Sequence, residues 1–174
     1  MSLRGQRTTT SSLDWDQFKS LLAKLERDEE YKYCILIGIG VFTALRISDI
    51  LTLRYSDFEG TDILEIQEKK TGKTRRIKIN SDLRALISRI KAKIQPKDAD
   101  EFIFLNRYGL KPIDKSWVNV KLKQLFKKYD IHVDGNVSSH MFRKTLGNRV
   151  LRLNNYSNES VILLMELFSH SSPS

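Results

Sequence analysis

Cysteine is almost absent from this sequence, since Cys34 is the only one among 174 residues. A single cysteine excludes an intrachain disulfide and a cysteine-based zinc site. Long apolar runs are also lacking: the most apolar stretch, residues 31–45, contains Lys32 and is shorter than the roughly eighteen residues of a membrane span. The start of the chain has no apolar segment after its basic residues, as a secretory signal peptide would. We therefore expect a cytoplasmic protein that does not associate with membranes.

Positive charge is what the sequence has in excess. Its 30 lysines and arginines against 21 acidic residues give a net charge of +9, which favours polyanionic partners because each cation placed on a phosphate releases counterions. Charge alone does not separate a nucleic-acid-binding protein from an ordinary basic one. The length and the hydrophobic fraction of 40% suit one globular domain. We expect residues 1–10 to form a flexible leader and residues 11–174 to form that domain.

Apolar residues at helical spacing dominate the chain and predict seven helices, of which the second, residues 31–42, is apolar on nearly every side. Residues 63–69 and 74–79 are typical of the two strands of a hairpin, with the turn Lys70-Thr71-Gly72-Lys73 between them. The candidate N-caps of the third, sixth and seventh helices are Ser48, Ser138 or Ser139, and Asn158. The predicted fold class is α+β, mostly α-helical, with one small antiparallel sheet.

Arg46 follows the most apolar helix of the chain and precedes Asp49 by three positions. Burying a guanidinium is costly unless a partner compensates its charge. One interpretation is structural: Arg46 and Asp49 pair across one helical turn. The other is functional: the arginine points into a cleft, where its fork of donors binds a phosphate. These two residues alone do not decide between the interpretations.

His140 and Arg143 stand three positions apart, so they share one face near the start of the sixth predicted helix. A helix N-terminus favours an anion, but a His-x-x-Arg pair is common by chance. His170 follows the last predicted helix, and its structural alternative is an interaction with the terminal carbonyls of that helix.

Lys70 belongs to a run of cations at the predicted hairpin turn, where the ordinary role of such a run is a solvated turn. The segment Thr71-Gly72-Lys73-Thr74 also resembles the end of a nucleotide-binding P-loop. That loop needs a glycine where Gln67 stands, and a helix after the turn, whereas a second strand is predicted here. The nucleotide interpretation therefore fails.

Four segments carry these residues: Ala44-Leu45-Arg46-Ile47-Ser48-Asp49-Ile50, Lys69-Lys70-Thr71-Gly72, His140-Met141-Phe142-Arg143 and Leu167-Phe168-Ser169-His170. In order and spacing they resemble the boxes of the tyrosine recombinase (phage integrase) family. That family has an arginine box, a hairpin lysine, a His-x-x-Arg box and a Leu-Gly-His box. The resemblance extends from about Ser11 onward and implies the catalytic core of a DNA breaking-rejoining enzyme. Ser169 stands where the family usually has glycine, a departure that leaves His170 matched.

The resemblance implies that a tyrosine hydroxyl attacks a DNA phosphodiester and forms a 3′-phosphotyrosine, with no metal or other cofactor. Arg46 and Arg143 would bind the non-bridging phosphate oxygens. Lys70 would protonate the leaving 5′ oxygen, and His140 would help to take the tyrosine proton.

The resemblance gives roles to two further residues. His170 would donate a hydrogen bond to the phosphate, and Asp49 would orient its neighbours in the site. Lys73 is a rival for the lysine's role, but Lys70 directly precedes the Thr-Gly turn, as the family's lysine commonly does. The nucleophilic tyrosine is expected roughly nine residues beyond His170, and so past Ser174. None of the six tyrosines lies in that context, so we expect this chain to be inactive by itself.

Double-stranded DNA is the partner that the resemblance implies, together with other recombinase protomers in a tetrameric synapse formed by chains that are monomers alone. It implies a site-specific integrase of a mobile element or prophage, acting at the bacterial nucleoid. Two alternatives remain open. A type IB topoisomerase-like enzyme shares the chemistry, and a DNA-binding module without catalysis would share the charge.

Overall fold

The fold is known from a computed structural model, which describes residues 11–169. Within this range the chain forms seven α-helices and one two-stranded antiparallel sheet, as the sequence predicts. The elements in chain order are α1 (Trp15–Arg27), α2 (Tyr31–Thr43), α3 (Ile47–Ile50), β1 (Ile63–Gln67), β2 (Thr74–Lys78), α4 (Ser81–Ile94), α5 (Lys115–Lys128), α6 (Met141–Leu153) and α7 (Asn158–Ser169), with a 3-10 helix (Tyr55–Phe58) before β1. No helix in the described range has the length and apolar character needed to cross a membrane.

The core forms around α2, in which every residue from Tyr33 to Val41 is buried. Helices α1, α4 and α6 all pack against it. Two glycines allow close approach, because a Cβ at Gly38 would lie 2.3 Å from Leu86 of α4 and one at Gly40 would lie 2.3 Å from the Phe142 ring of α6. The tight contact at Gly40 fixes α6, which carries Arg143, against the helix that leads into Arg46.

Side-chain caps begin helices α1, α4 and α5. Asp14 and Gln17 form a capping box at α1, and Asn80 and Asp114 accept backbone hydrogen bonds at the starts of α4 and α5. These caps satisfy amides that have no partner inside the helix.

The caps predicted for α3, α6 and α7 are wrong. Arg46, not Ser48, stands at the N-cap position of α3, and Ser157, not Asn158, accepts the amide hydrogen bond of Ser160 at the start of α7. At α6 the N-cap position is His140, while the hydroxyls of Ser138 and Ser139 are buried without a partner in the described part of the chain. The reason at α6 is a tertiary contact: Asn119 of α5 accepts the amide of Ser139 at 3.0 Å, which starts the helix later.

The hairpin pairs Ile63 with Lys78 at one end and Gln67 with Thr74 at the other. It is slightly shorter than predicted, because Glu68, Lys69 and Ile79 lie outside the paired strands. The turn at Lys70 is followed by a strand, so the exclusion of a P-loop is confirmed.

Candidate functional site

Four of the predicted site residues lie around one cleft of about 360 Å³. The cleft is formed by the segment before α3, the hairpin turn, the start of α5 and the start of α6. Its lining residues are Leu45, Arg46, Ile47, Ser48, Lys70, Lys115, Ser139, His140 and Arg143. Arg46, Lys70, His140 and Arg143, which are far apart in sequence, are therefore brought together.

Arg46 reaches the cleft through a turn at the end of α2. Ala44 ends this helix in the left-handed conformation, with φ of 51°, and is fully buried. For a residue other than glycine, this backbone conformation costs on the order of 1 kcal/mol of folding free energy. The backbone then becomes extended at Arg46, so that its side chain leaves the core at the start of α3.

Glu68, not Asp49, is the carboxylate that binds Arg46. The Nη1 of Arg46 donates to Oε2 of Glu68 at 3.0 Å, so the structural interpretation, in which Arg46 pairs with Asp49, does not hold. Asp49 is 2% exposed and accepts the backbone amide of Lys69 at 3.0 Å. Among the described residues, Arg46 Nη2 and Asp49 Oδ2 are buried and have no hydrogen-bond partner. One donor group of the Arg46 guanidinium thus has no hydrogen-bond partner in the described part of the chain.

Arg143 lies on the first turn of α6 and stacks on Phe168 of α7, with its guanidinium 4.9 Å from the ring centroid. Burial lowers the pKa of Arg143, and the positive charges of Arg46 and Arg75 lower it further, while Glu68 and Asp49 act in the opposite direction. An arginine stays charged despite such a shift. The shift indicates that the guanidinium groups lie within each other's electrostatic field.

His140 is exposed, but it is held towards its neutral form. Partial burial lowers its pKa from the ordinary value of 6.5, and the charges of Lys115 and Arg143 lower it further. A neutral imidazole at pH 7 is suited to accept a proton.

The structure separates the two candidate lysines. Lys70 lines the cleft with Arg46, His140 and Arg143. Lys73 lines a different depression of about 540 Å³, beside β2 and Leu167. Because Lys70 and not Lys73 lines the cleft, Lys70 is the better candidate for contact with a ligand there.

His170 lies outside the described residues, but two residues that precede it are described. Phe168 contacts Arg143, and Leu167 lines the depression that also contains Glu68 and Arg75. The end of α7, which belongs to the fourth sequence segment, thus lies next to Arg143, Glu68 and Arg75.

All six tyrosines of the chain lie in the described range, and none of them lines the cleft. Tyr33, Tyr55 and Tyr129 are buried in the core, whereas Tyr108 and Tyr156 are each 65% exposed. These positions agree with the assignment of none of them as the nucleophile.

Sequence analysis missed three charged residues of the site: Glu68, Arg75 and Lys115. The strands contained a signal for the first two. Side chains alternate between faces along a strand, and Leu64 and Ile66 point inward, so Glu68 continues their face. Arg75 is paired with Ile66 in the hairpin. A charged residue at an inward-facing position of a strand needs a buried partner, and this rule would have identified both Glu68 and Arg75.

Residues 11–174 match the phage integrase family. The probable integrase/recombinase YoeC of Bacillus subtilis (strain 168) is 30% identical over 154 residues, which make up 88% of this chain and 77% of that protein.

Solved recombinases have the same fold. The XerA recombinase gives a TM-score of 0.71 at 20% identity, over 92% of this chain and 56% of that chain. The XerH site-specific recombinase bound to difH substrate gives 0.69 at 18% identity, over 92% and 47%. A lambda integrase dimer bound to a COC′ core site gives 0.67 at 16% identity, over 99% and 62%. The chain therefore spans less than two thirds of each of these three structures.

The family match covers all of the described residues, and it agrees with the fold and with the residues that meet at the cleft. The chain belongs to the phage integrase family, the tyrosine recombinases.

Proposed function

We propose that this chain is the catalytic domain of a site-specific DNA recombinase of a mobile element or prophage, and that its cleft binds the scissile phosphate of duplex DNA. The observation that carries the proposal is the common cleft of Arg46, Lys70, His140 and Arg143. Cations held in place around a cavity of this kind stabilise the charge of a phosphorane-like transition state.

Four of the residues that line the cleft have a role in the proposed reaction. Arg46 and Arg143 bind the non-bridging oxygens of the phosphate. A tyrosine hydroxyl attacks the phosphorus and passes its proton to His140, while Lys70 protonates the 5′ oxygen that leaves. The new 3′-phosphotyrosine bond conserves the energy of the broken phosphodiester, so the free 5′ hydroxyl of another strand can reverse the step.

Other groups complete this proposal. Asp49 orients the site through the amide of Lys69, and His170 donates to the phosphate. The nucleophilic tyrosine belongs to sequence beyond Ser174, since none of the six tyrosines in the described range lies at the cleft.

Partners and location follow from the same proposal. The partners are double-stranded DNA and other protomers, which form a tetrameric synapse, and the protein acts in the cytoplasm at the nucleoid. The solved lambda integrase is a dimer on DNA, which supports this assembly.

Family membership favours this function over the two alternatives. A type IB topoisomerase-like enzyme would share the cleft chemistry, but the sequence matches the phage integrases. A DNA-binding module without catalysis would not need Lys70 and His140 together with both arginines, and all four line the cleft.

Binding to duplex DNA at increasing salt concentration tests the proposal. The chain should bind a duplex weakly, with affinity that falls steeply with salt, because phosphate contacts dominate it. Arg143→Ala should reduce the salt dependence by about one phosphate contact. The control is Arg89→Ala, which removes an equal charge from the Glu26 pair between α1 and α4. Binding that is absent at low salt or independent of salt would contradict the proposal.

A further inference from the structure

Glu68 is a buried carboxylate that joins three parts of the cleft wall. It follows β1 directly and is 2% exposed. Its Oε2 accepts hydrogen bonds from Arg46 Nη1 at 3.0 Å and from Thr71 Oγ1 at 2.9 Å. Its Oε1 lies 3.6 Å from Nη1 of Arg75 on β2. One side chain thus links the residue before α3, the hairpin turn and the second strand.

The surroundings of Glu68 keep it ionised. Burial opposes ionisation, but the hydrogen bonds from Thr71 and Arg46 and the charges of Arg46 and Arg75 outweigh it, so the pKa of Glu68 is lowered. Arg75 is a second counterion, and it also donates to the carbonyl of Thr43 at 3.3 Å. Because of Arg75, Glu68 retains a compensating charge when Arg46 also binds an anion.

The hairpin turn is anchored on both sides of Lys70. On one side the amide of Lys69 donates to Asp49 at 3.0 Å, and on the other the hydroxyl of Thr71 donates to Glu68 at 2.9 Å. The amide of Gly72 donates to the carbonyl of Glu68 at 2.8 Å and closes the turn. Two buried carboxylates from different elements therefore fix the backbone that carries Lys70.

We propose that Glu68 is a positioning residue of the phosphate site, with Arg75 as its counterion. Its hydrogen bond to Nη1 fixes the guanidinium of Arg46, which lines the cleft, in one orientation. Through Thr71 it also holds the turn of Lys70 beside the same cleft. The inference rests on the proposed function, because it assigns Glu68 a part in binding the same phosphate.

The direction in which Glu68→Gln changes the affinity for DNA tests this role. Glu68→Gln keeps the shape of the side chain and removes a negative charge near the DNA. If Glu68 acts only through its charge, this change strengthens DNA binding. If it positions Arg46 and Lys70, the association constant for a duplex oligonucleotide falls about tenfold, the effect of losing a hydrogen bond to a charged group. The matched control is Glu65→Gln on the same hairpin, where an exposed carboxylate pairs with Arg76 at 3.3 Å. It should bind DNA as tightly as the unmodified chain, or more tightly.

A double substitution separates positioning from a general loss of structure. Glu68→Gln combined with Arg46→Ala should lose less affinity than the sum of the two single losses, because Glu68 and Arg46 act partly as a unit. The loss that remains in the Arg46→Ala background is the part that acts through Thr71. If Glu68→Gln lowers the melting temperature enough to unfold the chain in the assay, Thr71→Val at the exposed turn is measured instead, and a severalfold weaker affinity is expected.

The outcomes distinguish this inference from the proposed function. Equal or tighter binding by Glu68→Gln, or by Thr71→Val in the second case, would overturn the positioning role, as would fully additive losses in the double variant. Absence of salt-dependent binding by the unmodified chain would instead overturn the proposed function itself.

Discussion

Among the described residues that line the cleft, His140 is the one whose side chain can change its charge near neutral pH. Burial and then the charges of Lys115 and Arg143 set its pKa below the ordinary value of 6.5. Above pH 6.5 the imidazole is neutral in both the folded and the unfolded chain, so it does not reduce the stability of the fold. As the pH falls through the lowered pKa, the unfolded chain takes up the proton more readily, and the folded state loses stability.

An NMR titration of His140 tests this environment. In the chain alone, its imidazole signal should titrate with a midpoint below 6.5. Adding duplex DNA should raise the midpoint, because a phosphate in the cleft stabilises the charged imidazolium. His140→Gln identifies the signal by removing it. A midpoint that DNA leaves unchanged would show that no phosphate binds next to His140.

Helix packing controls where Arg46 and Arg143 stand relative to one another. A Cβ at Gly40 would lie 2.3 Å from Cδ2, 2.8 Å from Cγ and 3.0 Å from Cε2 of the Phe142 ring, which is 1% exposed. The ring is enclosed, so α6 must shift to relieve the clash. At Gly38 the nearest atom is the end of the Leu86 side chain, and the next atom of Leu86 is 3.8 Å away.

Gly40→Ala should therefore destabilise the chain by roughly 1–3 kcal/mol from overpacking, less a gain of up to about 1 kcal/mol in helix propensity. It should also weaken DNA binding, because α6 carries Arg143. Gly38→Ala is the matched control in the same helix and should cost less and preserve DNA affinity. Urea unfolding and duplex titration provide the two readouts. Equal effects of the two substitutions would contradict the role of the α2–α6 contact.

The elements show what the sequence could predict. Periodic apolar residues predicted α1, α4 and α5, and a continuous apolar run predicted α2, because such patterns act locally. The predicted start of α6 was wrong because the backbone amide of Ser139 donates its hydrogen bond to the side chain of Asn119, 20 positions away. The interpretation in which Arg46 pairs with Asp49 failed for a similar reason. Asp49 is its neighbour in sequence, but the hairpin brings Glu68 to it and directs Asp49 to the Lys69 amide.

At the scale of the whole molecule, the cleft depends on the meeting of four separate segments. The motif residues could be predicted because their types and spacing resemble a known family. Lys115 belongs to no such motif, and its presence at the site follows only from the packing of α5. Glu68 and Arg75 also lie outside the motifs, and only the alternation of the strands indicates that they point inward. The net charge of +9 concerns the entire surface and did not identify the cleft.

The chain should form no covalent bond to DNA on its own. A nicked duplex that traps phosphotyrosine should give no adduct on a denaturing gel, because no tyrosine within residues 11–169 lines the cleft. A 3′ adduct would mean that one of the six tyrosines reaches the phosphate after a rearrangement. Replacing each tyrosine with phenylalanine would then identify it.

A crystal structure of the chain bound to a duplex oligonucleotide tests the central claim most directly. The account predicts one backbone phosphate within hydrogen-bond distance, about 2.7–3.2 Å, of both Arg46 and Arg143. Lys70 should lie next to the 5′ bridging oxygen of that phosphate, and His140 should lie on the wall of the same cleft. A duplex bound to another face of the molecule, or two arginines that contact different phosphates, would contradict the account.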